Sequence, residues 1–240
     1  MSTTIPGADP ADAPDGPASP GPRMRADARR NREQILRAAR AVFVDQGPDA
    51  PLDEIARRAG VGIATLYRRF PERADLISGV AIDVFTALVE AAHEAAEAER
   101  DPLDALRRFM HAALDLKIGS VVPALYGRVA VDEILDAVRQ DAADPVDELL
   151  RRAHEAGLIR PDVAFGDITL MIIRLSRPLP GGGLIPDDEA LAHRHLDIYI
   201  DGLRPDGSAR PNTRLSGPAL DAAGFKRLRG GVLRAGSGDG

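Results

Sequence analysis

Residues 51–76 read P-L-D-E-I-A-R-R-A-G-V-G-I-A-T-L-Y-R-R-F-P-E-R-A-D-L, and this stretch decides the fold. Ile55 and Ala56 give a first short helix its apolar face. Gly60 can adopt the positive φ that lets the chain leave a helix, and Val61 fills the corner that follows. The pattern therefore predicts two short helices joined by a glycine turn.

The second of these helices is predicted over residues 63–70, with Gly62 as its N-terminal cap. Leu66 and Phe70 are four residues apart and share one buried stripe. Four neighbours point away from that stripe: Thr65, Tyr67, Arg68 and Arg69. A short helix that presents such groups to solvent suits a DNA groove, so we interpret the pair as a helix-turn-helix whose second helix reads DNA.

Residues 25–88 resemble the DNA-binding domain of the tetracycline-repressor (TetR) family. That family's pattern of small, apolar, aromatic and basic residues is met by Ile55-Ala56, Ala59-Gly60-Val61, Thr65, Tyr67, Phe70, Arg73 and Leu76. The resemblance implies an all-α fold of about nine helices. Three N-terminal helices would form the DNA-binding domain, and a C-terminal helical domain would serve dimerisation and ligand sensing.

The resemblance also assigns roles to single residues of the reader helix. Tyr67 is expected to donate a hydrogen bond to a phosphate, and Thr65 to meet a phosphate or a thymine methyl group. Arg73 stands where the family often has Lys, and it is expected to neutralise a phosphate beside the next helix N-terminus. The alternatives are that Tyr67 packs between helices and that Thr65 is merely solvated.

The remaining DNA contacts are predicted at both ends of the reader helix and on helix 1. Gly62, Ile63 and Ala64 lie nearest the bases and offer close approach and apolar contact. Either Arg68 or Arg69 could reach a guanine edge, although a charge run is usually a solvated face. A basic arm that follows the DNA backbone or enters the minor groove is predicted from Arg25, Arg29, Arg30 and Arg32, with a purely solubilising role as the alternative.

Charge is divided unevenly along the 240 residues, whose formal net charge is −6. Residues 23–75 hold 12 arginines and 8 carboxylates, a balance of +4. Residues 76–203 hold 12 basic and 23 acidic groups, a balance of −11. Such asymmetry is typical of a DNA reader with a separate sensor domain, and it disfavours a nucleoid-type protein that coats DNA without specificity.

Composition narrows the remaining classes of function. The chain has no cysteine, which rules out disulfides and thiolate metal sites. We found no apolar run of the roughly 18 residues that a membrane span needs and no signal-peptide layout, so we expect a cytoplasmic protein. The nucleophile, phosphate-loop and zinc-protease motifs of enzymes are missing, and no enzyme activity or cofactor is predicted.

Composition predicts a disordered arm (1–24) and a disordered basic tail (205–240). Between them, the resemblance implies a DNA-binding domain (25–77) and a sensing and dimerisation domain (78–204). Helices are expected over 26–46, 72–99, 103–114, 128–140, 145–156, 164–176 and 187–202. A break is expected over 119–127, and a flexible loop over the P-L-P-G-G-G-L-I-P run.

A ligand cavity in the second domain would have mostly apolar walls. The candidate walls are Phe85, Leu88, Leu106, Phe109, Met110, Leu125, Tyr126, Met171 and Leu175, for which ordinary core packing is the alternative. No metal site is predicted. His193 and His195 are two apart on a helix and diverge by about 200°, so they cannot share one ion. His93, His111 and His154 have no carboxylate spacing that indicates a site.

The sequence thus predicts a homodimeric transcriptional regulator, most simply a repressor that a small-molecule effector releases from a palindromic operator. Transcriptional activation, or repression that requires a corepressor, stays open as an alternative on the same fold.

Overall fold

The computed structural model describes residues 22–125, 138, 141–177, 187–205, 215, 217 and 219–224. These residues contain nine helices of seven or more residues and no strand, which confirms the all-α prediction. The helices are α1 (Pro22–Gln46), α2 (Leu52–Ala59), α3 (Ile63–Arg69), α4 (Arg73–Ala98), α5 (Pro102–Asp115), α6 (Ile118–Leu125), α7 (Ala143–Glu155), α8 (Phe165–Leu175) and α9 (Asp188–Gly202).

The turn between α2 and α3 forms as the glycines predict. Gly60 ends α2 with φ +68°, and the Val61 amide donates to the Ala56 carbonyl at 3.0 Å. Gly62 takes an extended conformation as the N-cap of α3, and Phe70 is its C-cap. Pro51 is the residue before α2 and stands at its N-cap position without a side-chain cap hydrogen bond. The Val61 hydrogen bond therefore closes the end of α2, and the turn to α3 follows directly after it.

The core of the N-terminal domain is made by α1, α2, α3 and the start of α4. Its buried side chains are Ile35, Leu36, Ala39, Val42, Phe43, Ile55, Ala56, Leu66, Phe70, Leu76 and Ile77. Burying one such Leu, Ile or Phe side chain contributes about 1.5–3 kcal/mol relative to leaving it in water. Packing of these apolar faces, more than the propensity of helices only seven or eight residues long, stabilises α2 and α3.

α4 is shared between the two domains. Near its N-terminus Gly79 faces the other helices closely: a Cβ there would lie 3.0 Å from Leu36 Cδ2 and 3.1 Å from Phe70 Cε1. Farther along, Val84, Phe85 and Leu88 are buried in the second domain, where α4 packs on α5 and α7. One continuous helix therefore contacts both the reader helix and the C-terminal core.

By length and composition alone, α4 could cross a membrane, since one 18-residue window has a mean hydropathy of 1.5. The prediction that no stretch is long and apolar enough is wrong on those two criteria. Half of that window is buried inside the protein. A helix of a protein core can pass the same test of length and hydropathy.

α6 contradicts the predicted break over residues 119–127. Lys117 turns the chain with φ +54°, and a new helix follows over Ile118–Leu125. Gly119 lies against α8, where its amide donates to Ser176 Oγ at 2.7 Å. The predicted break is wrong: Gly and Pro usually interrupt a helix, but here the glycine allows a close contact between two helices.

Both predicted terminal regions need correction. α1 begins at Pro22, so residues 22–24 of the expected arm are helical; proline is tolerated in a first helical turn. In the expected disordered tail, the Leu220 carbonyl accepts from the Gly166 amide at 2.6 Å, and the Leu215 amide donates to Asp162 at 3.0 Å. Residues 1–21, most of the predicted helix 128–140, the loop 178–186 and the rest of the tail lie outside the described residues.

Candidate nucleic-acid interface

α3 separates a buried face from an exposed one as the spacing of its residues predicts. Leu66 is fully buried and Phe70 is 2% exposed, whereas Tyr67 is 50% exposed. Ile63, Ala64, Arg68 and Arg69 are exposed as well, and Thr65 is half-buried. The side chains predicted to contact DNA therefore occupy one continuous outward surface, with Gly62 exposed at its N-terminal edge.

Phe70 anchors the end of α3 against two other helices. Arg32 of α1 lies over its ring, with the guanidinium carbon 4.9 Å from the ring centroid, a cation–π contact. Gly79 of α4 leaves room for the same ring. Arg32 was predicted as part of a DNA-binding arm; the structure gives its guanidinium a packing role.

Arg73 connects three elements. Its Nη1 donates to the backbone carbonyls of Pro48 and Ala50, each at 2.8 Å, and its side chain is half-buried. These bonds tie the α1–α2 connection to the N-terminus of α4. The phosphate contact expected of Arg73 stays a prediction, and the contacts formed here show that it also positions the connection.

The exposed arginines differ in whether they already have partners. Arg29 pairs with Glu33 at 3.5 Å, and Arg30 pairs with Asp27, both along the surface of α1. Arg68 and Arg69 make no ion pair or hydrogen bond with the described part of the chain, so their charges can be offered to a phosphate or a base without breaking a contact.

The arginines of α2 are engaged by Glu54. Hydrogen bonds from Arg57 and then Arg58 lower the pKa of Glu54 to about 2, against a smaller opposing effect of burial. Arg58 also donates to Asp45 of α1 at 2.6 Å. These contacts join α2 to α1 and leave the positive charge of α3 as the available charge of the helix-turn-helix.

The predicted ligand-pocket residues are divided between core and surface. Phe85, Leu88, Leu106, Phe109 and Met110 are buried where α4 meets α5, and Met171 and Leu175 on α8 are half-buried. The side chain of Leu125 and all of Tyr126 lie outside the described residues.

An open cleft of about 350 Å³ lies elsewhere, between α7 and the start of α8. It is lined by Asp147, Leu150, Arg151, His154, Glu155, Val163, Ala164, Phe165 and Asp221. None of the predicted wall residues lines it, and their pocket role stays a prediction.

One cluster was missed by sequence reasoning. His111 of α5 and His193 of α9 stack with ring centroids 5.0 Å apart, and their Nδ1 atoms are 2.7 Å apart. Each ring also contacts a carboxylate: Asp197 for His111 at 3.1 Å and Asp115 for His193 at 2.9 Å. Spacing along one helix relates His193 only to His195, and not to His111 on α5.

A sequence signal for this cluster is a run of polar residues spaced four positions apart. It runs through Arg107, His111 and Asp115 on α5, and through Glu189, His193, Asp197 and Asp201 on α9. Residues four apart lie on the same helix face, so each run predicts a polar stripe. That the two stripes face each other is decided by tertiary packing.

This chain has a helix-turn-helix with an exposed face on α3, and a helical second domain. These features place it in the class of helix-turn-helix DNA-binding proteins. Two family models match the chain: "Bacterial regulatory proteins, tetR family" over residues 35–80 and "Transcriptional regulator SbtR-like, C-terminal domain" over residues 101–205. This chain is 32% identical in sequence to the TetR transcriptional regulator SCO0520 from Streptomyces coelicolor, and its fold matches the crystal structure of that protein with a TM-score of 0.55. That similarity covers 73% of this chain and 99% of that one.

Among curated relatives, the transcriptional repressor LfrR of Mycolicibacterium smegmatis is 39% identical over 127 residues, 52% of this chain and 65% of LfrR. The crystal structure of LfrR in complex with proflavine matches this fold with a TM-score of 0.53 at 24% sequence identity. The match covers 75% of this chain and 99% of that one, and it shows a likeness of fold alone. The chain belongs to the TetR family of transcriptional regulators. It is therefore a DNA-binding regulator of transcription and not an enzyme.

Proposed function

We propose that this regulator is a homodimeric repressor that binds a palindromic operator through two copies of α3 and leaves it when a small molecule binds. The observation that carries the proposal is the outward face of α3, where Tyr67 is 50% exposed beside Arg68 and Arg69 while Leu66 is fully buried. A helix with this division can enter a major groove without unfolding its own core. Such a regulator would work in the cytoplasm, beside the chromosome.

Apolar side chains left exposed on α8 and α9 support dimerisation. Ile198 on α9 is 60% exposed, the most exposed large apolar side chain among the described residues. Leu170, Met171, Ile173 and Leu175 on α8 are only half-buried. Two helices from each chain would pack as a four-helix arrangement across a two-fold axis and remove these groups from water.

A change in the spacing of the two reader helices is the mechanism we propose for release. α4 packs against Phe70 at the base of the reader helix and against α5 in the second domain. A ligand bound between helices of the second domain would shift α4, so that the two copies of α3 no longer match half-sites a helical turn or a multiple apart. The ligand must bind the released state more tightly, because equal affinity shifts nothing.

One relative supports this proposal. LfrR, a repressor by name, is 39% identical over 127 residues, and its crystal structure contains proflavine. For this chain, a small-molecule effector is inferred by analogy, and its chemical identity is a separate question for experiment.

Selection of bound DNA from a random pool tests the function class. We expect an inverted repeat whose binding requires dimers and withstands an excess of random DNA. A protein that coats DNA would be displaced by that competitor and would enrich no sequence. Release by members of a metabolite panel would support repression with effector release. Binding that appears only when a metabolite is added would instead indicate a corepressor mechanism.

A further inference from the structure

α5 and α9 face each other through a chain of polar contacts that lies outside the helix-turn-helix. Arg107 Nη1 donates to Asp197 Oδ1 at 2.6 Å, and Arg107 Nη2 donates to Asp201 at 3.0 Å. Burial alone would raise the pKa of Asp197, but the hydrogen bonds and charges of His111 and Arg107 outweigh it and lower the pKa. Asp197 is therefore a carboxylate that can only accept hydrogen bonds.

The two histidine rings extend this chain of polar contacts. His111 Nε2 lies 3.1 Å from Asp197, so this nitrogen carries a hydrogen and donates it to the carboxylate. His193 Nδ1 lies 2.7 Å from His111 Nδ1, and one of these two nitrogens donates to the other.

His193 Nε2 lies at the end of this chain, where it is 2.9 Å from Asp115 Oδ1. A proton on this nitrogen would join the two atoms by a hydrogen bond, and a metal ion in place of that proton would bind both. A Glu189 carboxylate oxygen completes the group: the three ligand atoms from Asp115, Glu189 and His193 all lie within 4.8 Å of one another.

We propose that His193 Nε2, with the carboxylates of Asp115 and Glu189, forms a binding site for a divalent transition-metal ion. An imidazole nitrogen favours zinc and its neighbours over magnesium and calcium, which prefer oxygen ligands. Two carboxylates offset the charge of a divalent ion. Three protein ligands with a remaining position for water are a common arrangement for zinc.

The side chains can reach metal-binding distance. His193 Nε2 and Asp115 Oδ1 already lie 2.9 Å apart, and Asp115 and Glu189 are both exposed and can rotate to place their oxygens about 2.0–2.2 Å from zinc. Lys117 Nζ now lies 3.4 Å from Glu189, and the ion would take over its role as the countercharge.

His111 acts as a positioning residue in this site. A histidine that binds a metal usually donates its other ring N–H to a fixed acceptor, which sets its tautomer and orientation. Here His193 Nδ1 shares a hydrogen bond with His111 Nδ1, and His111 in turn donates to Asp197, itself held by Arg107. The metal would join α5 to α9, and its binding is independent of how α3 reads DNA.

Calorimetric titration of the full-length, tag-free protein with Zn²⁺ tests the proposal. We expect a single saturable ion per chain that excess Mg²⁺ does not displace. His193→Ala should abolish binding, and the exposed, isosteric changes Asp115→Asn and Glu189→Gln should each weaken it. His195→Ala is the matched control, an exposed histidine on the same helix, and should bind as the unmodified chain does.

A second variant tests whether His111 orients His193 for metal binding or only supports the fold. His111→Phe keeps a ring in the stack but removes both nitrogens, and should weaken Zn²⁺ binding about 10–100-fold without changing the stoichiometry. Zn²⁺ should raise the midpoint temperature of thermal unfolding of the unmodified protein and of His195→Ala, but not of His193→Ala. The proposal is overturned if the unmodified protein binds no Zn²⁺, since a proton then fills the gap at His193. It is equally overturned if His193→Ala or Asp115→Asn binds as tightly as the unmodified chain.

Discussion

Adjacent residues of α3 perform different tasks because the helix turns by about 100° per residue. Leu66 is fully buried against the core, and Tyr67, one position later, is half exposed. A change at the first should therefore affect stability, and a change at the second should affect DNA binding.

Tyr67→Phe should weaken operator binding about fivefold, which corresponds to one lost hydrogen bond of about 1 kcal/mol. Its effect on the free energy of unfolding should stay within about 0.5 kcal/mol, because the ring remains and the hydroxyl is exposed. Leu66→Ala is the matched contrast and should lower the free energy of unfolding by about 2–5 kcal/mol. Gel shifts and urea denaturation measure the two effects; unchanged DNA affinity in Tyr67→Phe would remove the phenol from the interface.

At the residue scale, Glu54 makes a contribution to the stability of the fold that depends on pH. Its pKa is lowered to about 2 in the folded protein from an ordinary value of 4.5, so its hydrogen bonds stabilise the fold fully above 4.5 and are lost as the pH falls toward 2. Glu54→Gln should be less stable than the unmodified chain near pH 7, and the difference should shrink below pH 4.5. Thermal unfolding across that range measures it. The exposed Glu97→Gln should show no such trend, and a constant difference for Glu54→Gln would contradict the assignment.

At the scale of elements, the contact between α6 and α8 depends on a missing side chain. A Cβ on Gly119 would lie 1.9 Å from the Ile173 carbonyl oxygen and 2.6 Å from Ser176 Oγ. Ser176 is the buried polar residue of the described core, and its Oγ bonds both the Gly119 amide and the Ile172 carbonyl, each at 2.7 Å. Neither backbone can move without breaking these bonds.

Gly119→Ala should therefore destabilise the protein by about 3 kcal/mol or more, the upper range for forcing an atom into a packed region. Urea denaturation measures the change. Gly202→Ala, at the end of α9, is the control: nothing lies within 4 Å of its added Cβ, so the variant should match or slightly exceed the stability of the unmodified chain. Equal stability of the two variants would show that α6 does not pack on α8 as described.

At the scale of the whole molecule, the proposed dimer connects the second domain to DNA binding. Ile198→Asp places a charge on the exposed apolar position of α9, and should shift the protein from dimer to monomer in sedimentation experiments. Operator affinity should fall together with dimerisation, because one reader helix contacts only one half-site. Thr86→Asp, on an exposed position of α4, should leave both unchanged. A dimer that survives Ile198→Asp would move the interface away from this face.

The sequence by itself determined the features that depend on short-range contacts. The glycine turn at Gly60, the cap at Gly62 and the inward Leu66 and outward Tyr67 all follow from spacing within about 25 residues, where helical geometry fixes which side chains share a face. The all-α class and the TetR-family membership rest on the same local pattern.

Tertiary structure alone decided which faces meet. Gly119 could not be recognised as a contact point rather than a break without the α8 backbone beside it. His111 and His193 are 82 positions apart in the chain, and only packing of α5 on α9 brings their rings together. A helical period shows which side chains lie on one face, but it carries no information about the partner of that face, because that choice depends on the summed packing of the whole core.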